Sequence, residues 1–291
     1  MSPRLDGARV LVTGAGGQLG RYLRPVLADA GATVIGGGSH TRPGVDRVFD
    51  ITDEKSVRAA IDAESPAIVI HAAAFTDVDG AEREPDPAMK VNADGARNLA
   101  AAAAAVGATV VYPSTDYVFD GSKDSPYLET DEPSPLGSYG TSKLAGEVDT
   151  AAVNPQHFIV RSSWLFGVGG RNFVETMLGM AEDNDFVVVV RDQVGSPTYT
   201  AHLAEGLVRM LDTRAYGLHH MSAAGECSWY DFAVAIFERA GVDCRVMSAT
   251  TDELARPAPR PAYSVMDTQY EDAIHLPRWQ DGLTYYLQER G

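Results

Sequence analysis

Short apolar segments rich in β-branched residues alternate with longer segments of helical periodicity through the first two-thirds of the chain. The apolar segments predict strands over residues 9–13, 33–35, 67–70, 109–112 and 158–161. The segments between them predict helices over residues 18–30, 53–63, 87–106 and 138–152. Alternation of this kind is typical of βαβ units. We therefore expect an α/β fold in which helices cover both faces of a doubly wound parallel sheet.

The pattern changes after Trp164, where glycine- and proline-rich segments at 167–170 and 257–261 predict loops. A helix at 201–211 and a strand at 217–221 predict a return to the sheet. We therefore divide the chain into a larger unit, residues 1–166 plus 200–221, and a smaller, discontinuous C-terminal lobe, residues 167–199 plus 222–291.

Composition narrows the class of protein. Hydrophobic residues make up 45% and charged residues 22% of the 291, as in folded globular proteins. The net charge of −16 disfavours nucleic acid as a partner, because an acidic surface repels phosphate backbones. No apolar run approaches the ~18–20 residues of a membrane helix, and the N-terminal segment lacks a signal-peptide core. We therefore expect a cytoplasmic protein without a membrane partner, and two cysteines alone predict no metal site.

A glycine-rich turn follows the first predicted strand and opens the first predicted helix. Its glycines, Gly14, Gly17 and Gly20, have the spacing G-x-x-G-x-x-G. In such turns the glycines permit a tight turn, close approach of the backbone to a pyrophosphate, and close helix–strand packing. The N–H groups that open the helix, near Gln18 and Leu19, favour an anion. Because the turn lies inside a βαβ unit, it predicts that the larger unit binds a dinucleotide.

The end of the second predicted strand bears on which nicotinamide cofactor is bound. An acidic residue here accepts a hydrogen bond from the ribose 2′-hydroxyl of NAD, but this chain has Ser39 and Arg42, and no acid before Asp46. Serine and arginine side chains can donate to a 2′-phosphate, which a carboxylate would repel. The sequence therefore favours NADPH and leaves NADH open. Asp50 and Ile51, after the next short apolar segment, are the predicted neighbours of the adenine.

Tyr139 and Lys143 lie four residues apart in a predicted helix, which places both on one face. A neighbouring ammonium favours the phenolate, so we expect Lys143 to lower the pKa of Tyr139 from its ordinary value near 10. The segment that ends the preceding strand carries Ser114, Thr115 and Asp116. Ligands of doubly wound sheets bind at the carboxyl ends of the strands. These hydroxyls are therefore expected to join the phenol in orienting a carbonyl for hydride transfer.

Several longer segments are more specific than either motif alone: HAAAFTDVDGAE at 71–82, VNADGARNLA at 91–100, STDYVFDG at 114–121, YGTSKLAGE at 139–147, SSWLFG at 162–167, NFVETML at 172–178 and DQVGSPTY at 192–199. With the phosphate loop they resemble, in content and order, the dTDP-4-dehydrorhamnose reductases, which belong to the extended short-chain dehydrogenase/reductases. The resemblance covers nearly the whole chain. It implies a Rossmann cofactor lobe, a small substrate lobe and NADPH-dependent reduction of the C4 keto group of a nucleotide-linked 4-keto-6-deoxyhexose.

The resemblance also implies roles for individual residues. Tyr139 would donate the proton, Lys143 would be its electrostatic partner, and Thr115 would bind the C4 carbonyl, with Ser114 as the alternative. The residues implied to contact or position the sugar nucleotide are Asp116, Tyr117, Trp164 and Asn172. Those implied to flank the cofactor are Ala74, Phe75 and Thr76.

One departure from related enzymes narrows the reaction. Sugar-nucleotide 4,6-dehydratases place Asp-Glu directly after the threonine, whereas this chain has Asp116-Tyr117, which disfavours dehydration. Two alternatives to the reductase stay open. One is a reductase or epimerase of another deoxysugar nucleotide in natural-product biosynthesis, and the other is a non-catalytic, NADP(H)-binding regulatory subunit. The sequence also leaves a homodimer open.

Three further features have both a functional and a structural interpretation. Arg256 and Arg260 could bind the substrate pyrophosphate or belong to a solvated extended linker, and the sequence favours neither. Trp229 begins a helical pattern that favours core packing over ligand stacking. Asp79 belongs to an acidic stretch, residues 77–84, that is predicted to be a solvated surface.

Overall fold

A computed structural model describes residues 5–291. Within that range the α-helices are α1 Gln18–Asp29, α2 Glu54–Glu64, α3 Val78–Arg83, α4 Pro85–Met89, α5 Gly95–Ala105, α6 Ser138–Val153, α7 Phe173–Asp183, α8 Thr200–Met210, α9 Trp229–Ala240, α10 Thr251–Leu254 and α11 Trp279–Arg290. The strands are β1 Arg9–Thr13, β2 Thr33–Gly38, β3 Arg47–Val48, β4 Ile68–His71, β5 Thr109–Thr115, β6 His157–Ser162, β7 Leu165–Phe166, β8 Phe186–Val190, β9 Val194–Gly195, β10 Thr198–Tyr199, β11 Gly217–His220, β12 Ala223–Ala224, β13 Cys227–Ser228, β14 Arg245–Ala249 and β15 Leu276–Arg278.

The central element is a seven-stranded parallel sheet with the order β11-β6-β5-β4-β1-β2-β3. The chain starts in the middle at β1, runs outward to β3, and then crosses to the other side of β1 with β4. This is the predicted doubly wound, Rossmann-type sheet. In such sheets ligands bind at the carboxyl ends of the strands where the winding direction changes, here between β1 and β4.

Apolar helix faces cover both sides of the sheet. On one side α1 and α8 pack against the sheet through a buried cluster that includes Leu23, Leu27 and Leu207. On the other side α2 and α5 form a second cluster around Ile61 and Leu99, and α6 lies beside α5. The alanine-rich sequence of α5 lets it lie close to the strands, since Ala100 and Ala103 are fully buried.

The helix predicted over 87–106 is interrupted. One π-helical turn, Lys90–Asp94, separates α4 from α5. Asn92 lies in this turn, and its backbone carbonyl accepts a hydrogen bond from the Tyr112 hydroxyl at 2.9 Å. Its side chain bonds both backbone groups of Phe75, at 2.8 and 3.0 Å. The turn thus connects the loop after β4 to the helices beside it.

The C-terminal elements have a core of their own, in which α7, α9 and α11 bury Phe232, Leu283 and Tyr286. Two strands of this part of the chain that the sequence analysis did not predict, β8 and β14, pair in parallel over five residues of each. These segments lie far apart in sequence, and each alone shows only a short apolar run. The residue boundaries proposed between the two lobes stay a prediction. Within residues 5–291, no helix combines the length and the apolar character needed to cross a membrane.

Candidate active site

The carboxyl end of β5 carries two hydroxyl groups with different partners. The Ser114 hydroxyl donates to Glu147 Oε1 at 2.5 Å. The Thr115 hydroxyl donates to Asp116 Oδ1 at 3.1 Å and accepts from the Tyr117 amide at 3.2 Å. It also lies close enough to the Tyr139 side chain to lower the pKa of that phenol. The structure therefore places Thr115 beside the phenol, whereas Ser114 is hydrogen-bonded to a buried carboxylate.

Helix α6 presents Tyr139 and Lys143 beside this strand end, as the spacing predicts. The Lys143 ammonium donates to the Pro113 carbonyl at 2.7 Å and lies 3.9 Å from the centre of the Tyr112 ring. Only 3% of Lys143 is exposed. Its charged head is therefore held against the backbone and ring of β5.

The pKa values of this pair differ from the sequence-based expectation. Burial is the main cause that raises the pKa of Tyr139 to about 12. The neighbouring Thr115 side chain opposes this rise, and the charge of Asp116 adds to it. Burial lowers the pKa of Lys143 to about 7, against the opposing effect of Glu147. The predicted lowering of the Tyr139 pKa is therefore wrong for this structure, because burial and the charge of Asp116 raise it. The consequence is a phenol that stays protonated at neutral pH, which is the form a proton donor needs.

A buried ion pair lies behind these side chains. Arg161, on β6, donates to the Glu147 carboxylate with contacts of 2.6–3.2 Å, and both side chains are almost fully buried. Glu147 is one turn beyond Lys143 on α6, so Tyr139, Lys143 and Glu147 follow one helix face. Because a buried charge without its partner is costly, this pair fixes α6 against β5 and β6.

Asp116 is a buried carboxyl group next to Thr115. It accepts from the Ser264 hydroxyl at 2.6 Å as well as from Thr115. Burial raises the pKa of Asp116 to about 7, against the effect of these hydrogen bonds. The site therefore holds a second group that titrates near neutral pH.

The glycine-rich turn has the geometry of a phosphate-binding loop. Gly14 adopts φ +64°, and a Cβ there would lie 2.7 Å from the Ala73 amide nitrogen. Gly17 is the N-cap residue of α1 and has no side chain that could accept hydrogen bonds from the first N–H groups of the helix. These N–H groups are therefore available to an anion. Gly20 packs against the backbone of Gly14 and Ala15.

The loops after β2 and β3 carry the predicted adenosine contacts. Ser39 and Arg42 are exposed, and the Arg42 side chain extends over the glycine loop, where a Cβ on Gly16 would meet its Nε at 2.7 Å. The nearest acid, Asp46, accepts from the Gly36 amide at 2.8 Å. Asp50 is exposed and half-buried Ile51 follows it. The amide of Asn98 donates to the Ile51 carbonyl at 3.0 Å.

Two adjoining cavities lie over the carboxyl ends of the strands. The first, of about 760 Å³, is lined by predicted cofactor and catalytic residues: Gly17, Gln18, Leu19, Ala74, Thr76, Thr115, Asp116, Tyr117, Tyr139, Lys143 and Trp164. The second, of about 870 Å³, is lined by Arg256 and Arg260 and by apolar side chains that include Met177, Met180, Val188 and Leu254. Tyr117, Arg171, Phe173 and Trp229 line both. We call them the catalytic cavity and the outer cavity.

Two sequence-based interpretations, those of Asp79 and Trp229, need correction. Asp79 is not a solvated acid, because its side chain is 14% exposed and pairs with Arg256 at 2.8 Å and with Arg260 at 3.0 Å. Asn172 lines neither cavity, and its implied role toward the substrate stays a prediction. Its side chain caps α7, accepting from the Glu175 amide at 3.1 Å. Trp229 is half-buried and lines both cavities, so it is not only a core residue.

Sequence reasoning singled out neither His71 nor Arg171. His71 Nδ1 is hydrogen-bonded to the Thr13 hydroxyl at 2.9 Å. Its buried Nε2 has no hydrogen-bond partner within residues 5–291. Burial lowers the pKa of His71 to about 3, with the charge of Lys143 adding to the effect, so the ring is neutral where it lines the catalytic cavity. Arg171 is exposed at the junction of both cavities. Its place in a glycine-rich loop gave no pattern to find it by.

The chain matches a known family over nearly its whole length. The family described as RmlD substrate binding domain matches residues 8–291, and a relative named dTDP-4-dehydrorhamnose reductase is 44% identical. The chain belongs to the dTDP-4-dehydrorhamnose reductase family. Membership agrees with the resemblance of the sequence motifs and with the Rossmann-type sheet.

Three relatives illustrate the similarity. The Streptomyces griseus dTDP-4-dehydrorhamnose reductase is 44% identical, covering 95% of this chain and 92% of that protein. The Bacillus subtilis spore coat polysaccharide biosynthesis protein SpsK is 44% identical over 97% of this chain and 98% of its own. A crystal structure of dTDP-4-dehydrorhamnose reductase from Bacillus anthracis in complex with NADP is 39% identical, with a TM-score of 0.92 and coverage of 97% and 99%.

Proposed function

We propose that this protein is an NADPH-dependent reductase of the C4 keto group of a dTDP-linked 4-keto-6-deoxyhexose. The observation that carries the proposal is the meeting of Thr115, Tyr139 and Lys143 in one cavity that also contains the glycine loop. Family membership agrees with it, since a relative of 44% identity carries the name dTDP-4-dehydrorhamnose reductase.

The residues present fit a phosphorylated dinucleotide. Gly17 leaves the first N–H groups of α1 free for a pyrophosphate, and Arg42 can reach a 2′-phosphate from beside the glycine loop. The unpartnered His71 Nε2 is a buried polar atom in a residue that lines the catalytic cavity. NADPH, when bound, supplies the hydride.

The protein side chains bind the substrate carbonyl and supply the proton that its reduction requires. The hydroxyls of Thr115 and Tyr139 lie in the same cavity, where each can turn its hydrogen towards the keto oxygen when substrate binds. As negative charge develops on that oxygen, Tyr139 transfers its phenolic proton to it. The Lys143 ammonium, buried nearby, favours the resulting phenolate electrostatically. Thr115 and Lys143 are buried and Tyr139 is half-buried, which strengthens these interactions because less water remains to compete.

The outer cavity supplies a place for the nucleotide part of the substrate. Arg171, Arg256 and Arg260 line its wall together with Asp252. Arg256 and Arg260 share the Asp79 carboxylate, so the exposed Arg171 is the guanidinium most available to a diphosphate. Met180, Val188 and Leu254 add an apolar surface suited to a base. We assign Trp164, Asp116 and Tyr117 to the sugar, because they line the catalytic cavity beside Tyr139.

An assay of NADPH oxidation tests the function directly. With a dTDP-4-keto-6-deoxyhexose and micromolar protein, we expect substrate-dependent loss of absorbance at the reduced nicotinamide band, and a product reduced at C4. NADH and the UDP-linked ketosugar serve as matched comparisons. Binding of NADPH without any turnover of the panel would support a regulatory subunit instead. We also propose a cytoplasmic location, which cell fractionation tests.

A further inference from the structure

The short helix α3 lies between two parts of the site. It carries Asp79 and Glu82, three residues apart and therefore neighbours on the helix surface. Glu82 contacts the start of α6, the helix of Tyr139 and Lys143. Asp79 contacts residues 256–264, which we call the strap. The strap follows α10, and its arginines form part of the wall of the outer cavity.

Helix α6 has no N-cap side chain of its own, and Glu82 supplies the missing hydrogen-bond acceptor. The N-cap residue is Gly137, which offers no side-chain acceptor, and the amide of Ser138 donates instead to Glu82 Oε1. A Cβ on Gly137 would lie 2.6 Å from that oxygen, so glycine is what permits the approach. A carboxylate at this end of a helix also interacts favourably with the helix dipole. Glu82 thus fixes the turn in which Tyr139 lies.

Asp79 holds the strap at three points. Its carboxylate accepts from Arg256 Nη2 at 2.8 Å, from Arg260 Nη2 at 3.0 Å and from the Ala258 amide at 3.2 Å. The side chain of Arg260 is only 9% exposed. Burial opposes ionisation of Asp79, but the Ala258 amide and the Arg260 guanidinium outweigh it and hold the pKa of Asp79 below its usual value. The Asp79–Arg260 pair is therefore a charged anchor largely shielded from water, whereas Arg256 joins it from the surface, with 59% of its side chain exposed.

The strap also reaches the catalytic residues. Arg260 lies close enough to Tyr117 for its charge to oppose the rise of the Tyr117 pKa on burial, and the Tyr117 ring packs edge-on against Tyr139 with centroids 5.8 Å apart. Further along, Ser264 donates to Asp116 at 2.6 Å. Around α3, the start of α6 and the strap, the remaining gap is only about 10 Å³. A shift of the strap would therefore change the packing around Tyr139.

We propose that Asp79 and Glu82 are positioning residues, through which α3 couples the strap beside the substrate to the helix that carries the proton donor. The kinetic part of this inference rests on the proposed function. The placement itself does not, and it can be measured without substrate.

Amide hydrogen exchange measures the placement. In Asp79→Asn we expect exchange across the strap to become about tenfold faster or more, because the anchor loses its charge. In Glu82→Ala we expect faster exchange at the first turn of α6. Glu84→Gln is the matched control, since Glu84 is an exposed acid two residues beyond Glu82. Unchanged exchange in both Asp79→Asn and Glu82→Ala would overturn the proposal.

Kinetic constants separate positioning from stability alone. We expect Asp79→Asn to raise the KM for the sugar nucleotide about 5- to 20-fold with a smaller effect on kcat. We expect Glu82→Ala to lower kcat about tenfold with KM little changed, and Glu82→Gln, which keeps an acceptor oxygen, to recover most of it. Faster exchange with wild-type kinetic constants would also overturn the proposal. An inactive wild-type protein would count against the proposed function instead, and the exchange measurements would still decide the placement.

Discussion

Trp164 and Trp229 stack face to face, with ring centroids 3.5 Å apart and planes within 4° of parallel. Trp164 follows the sheet strand β6, whereas Trp229 opens α9 among the C-terminal elements. Trp164 adopts φ +49°, a left-handed conformation that is rare for a bulky residue, and its ring lies against Gly195, where a Cβ would be 2.5 Å from Cε2. The stack and the backbone beneath it thus hold Trp164 in the position where it lines the catalytic cavity.

Removing the Trp229 ring tests whether this support matters for substrate binding. Because an aromatic pair contributes about 0.5–1.5 kcal/mol beyond its buried area, we expect Trp229→Ala to raise the KM for the sugar nucleotide roughly 2- to 12-fold. NADPH affinity, measured by nucleotide fluorescence, should change little. Trp229→Phe keeps a ring and should lie closer to the wild type. Equal KM values in all three proteins would contradict the supporting role.

Tyr139→Phe tests the proton donor. The phenylalanine keeps the ring that packs against Tyr117 but has no proton to give, so kcat should fall about 10²–10⁴-fold. NADPH affinity should remain near that of the wild type. Tyr270→Phe removes the hydroxyl of an exposed tyrosine outside both cavities and is the control. Near-full turnover by Tyr139→Phe would remove this residue from the proposed role.

The pKa of Lys143, lowered to about 7 by burial, predicts the pH dependence of the reaction. An amine loses its proton as the pH rises, so the proportion of ammonium, and with it kcat/KM, should fall above about pH 7. Lys143→Arg retains a charge at all these pH values and should lack this alkaline limb, even if its rate is lower. Asp116 titrates in the same range, and Asp116→Asn should keep the limb. The reverse pattern in the two variants would assign the limb to Asp116.

Asp116 also predicts how stability varies with pH. Burial raises its pKa from 3.8 to about 7, so the folded protein binds a proton that the unfolded chain releases between these values. The contribution of Asp116 to stability is therefore greatest at low pH and is lost as pH rises to about 7. Asp116→Asn cannot ionise. Its free energy of unfolding should match the wild type near pH 4 and exceed it by about 1–4 kcal/mol at pH 8. Urea unfolding at both pH values measures this difference, and an equal difference at both would show that Asp116 does not titrate as described.

Local sequence patterns are sufficient to predict the sheet because each strand and helix of a βαβ unit carries its own periodicity. The glycine loop, Thr115, Tyr139 and Lys143 follow from short motifs for the same reason. The direction of a side chain is a different matter. The spacing of Tyr139 and Lys143 predicts that they share a helix face. It does not predict that the Pro113 carbonyl and the Tyr112 ring contact the ammonium. The pKa of each group consequently depends on burial that only the folded chain defines.

Long-range pairing explains the other differences. Asp79 belongs to a locally acidic stretch, yet its partners Arg256 and Arg260 lie 177 and 181 residues away. The parallel pairing of β8 with β14 likewise joins segments that show no pattern in common. Trp229 fits a helical apolar pattern, and only the position of Trp164 makes it part of a cavity wall. Such features need the tertiary structure, because no periodicity encodes a contact between distant segments.

Arg42 is expected to determine the choice between NADPH and NADH. Its side chain extends over the glycine loop, and hydrogen bonds to charged groups contribute about 1.5–3 kcal/mol. Arg42→Ala should therefore lower kcat/KM for NADPH by about 10- to 100-fold, while kcat/KM for NADH changes little because NADH has no 2′-phosphate. Arg47→Ala is the matched control, since Arg47 is an arginine of β3 that pairs with Glu64. Equal losses with both cofactors in Arg42→Ala would show that Arg42 supports the loop rather than reading the phosphate.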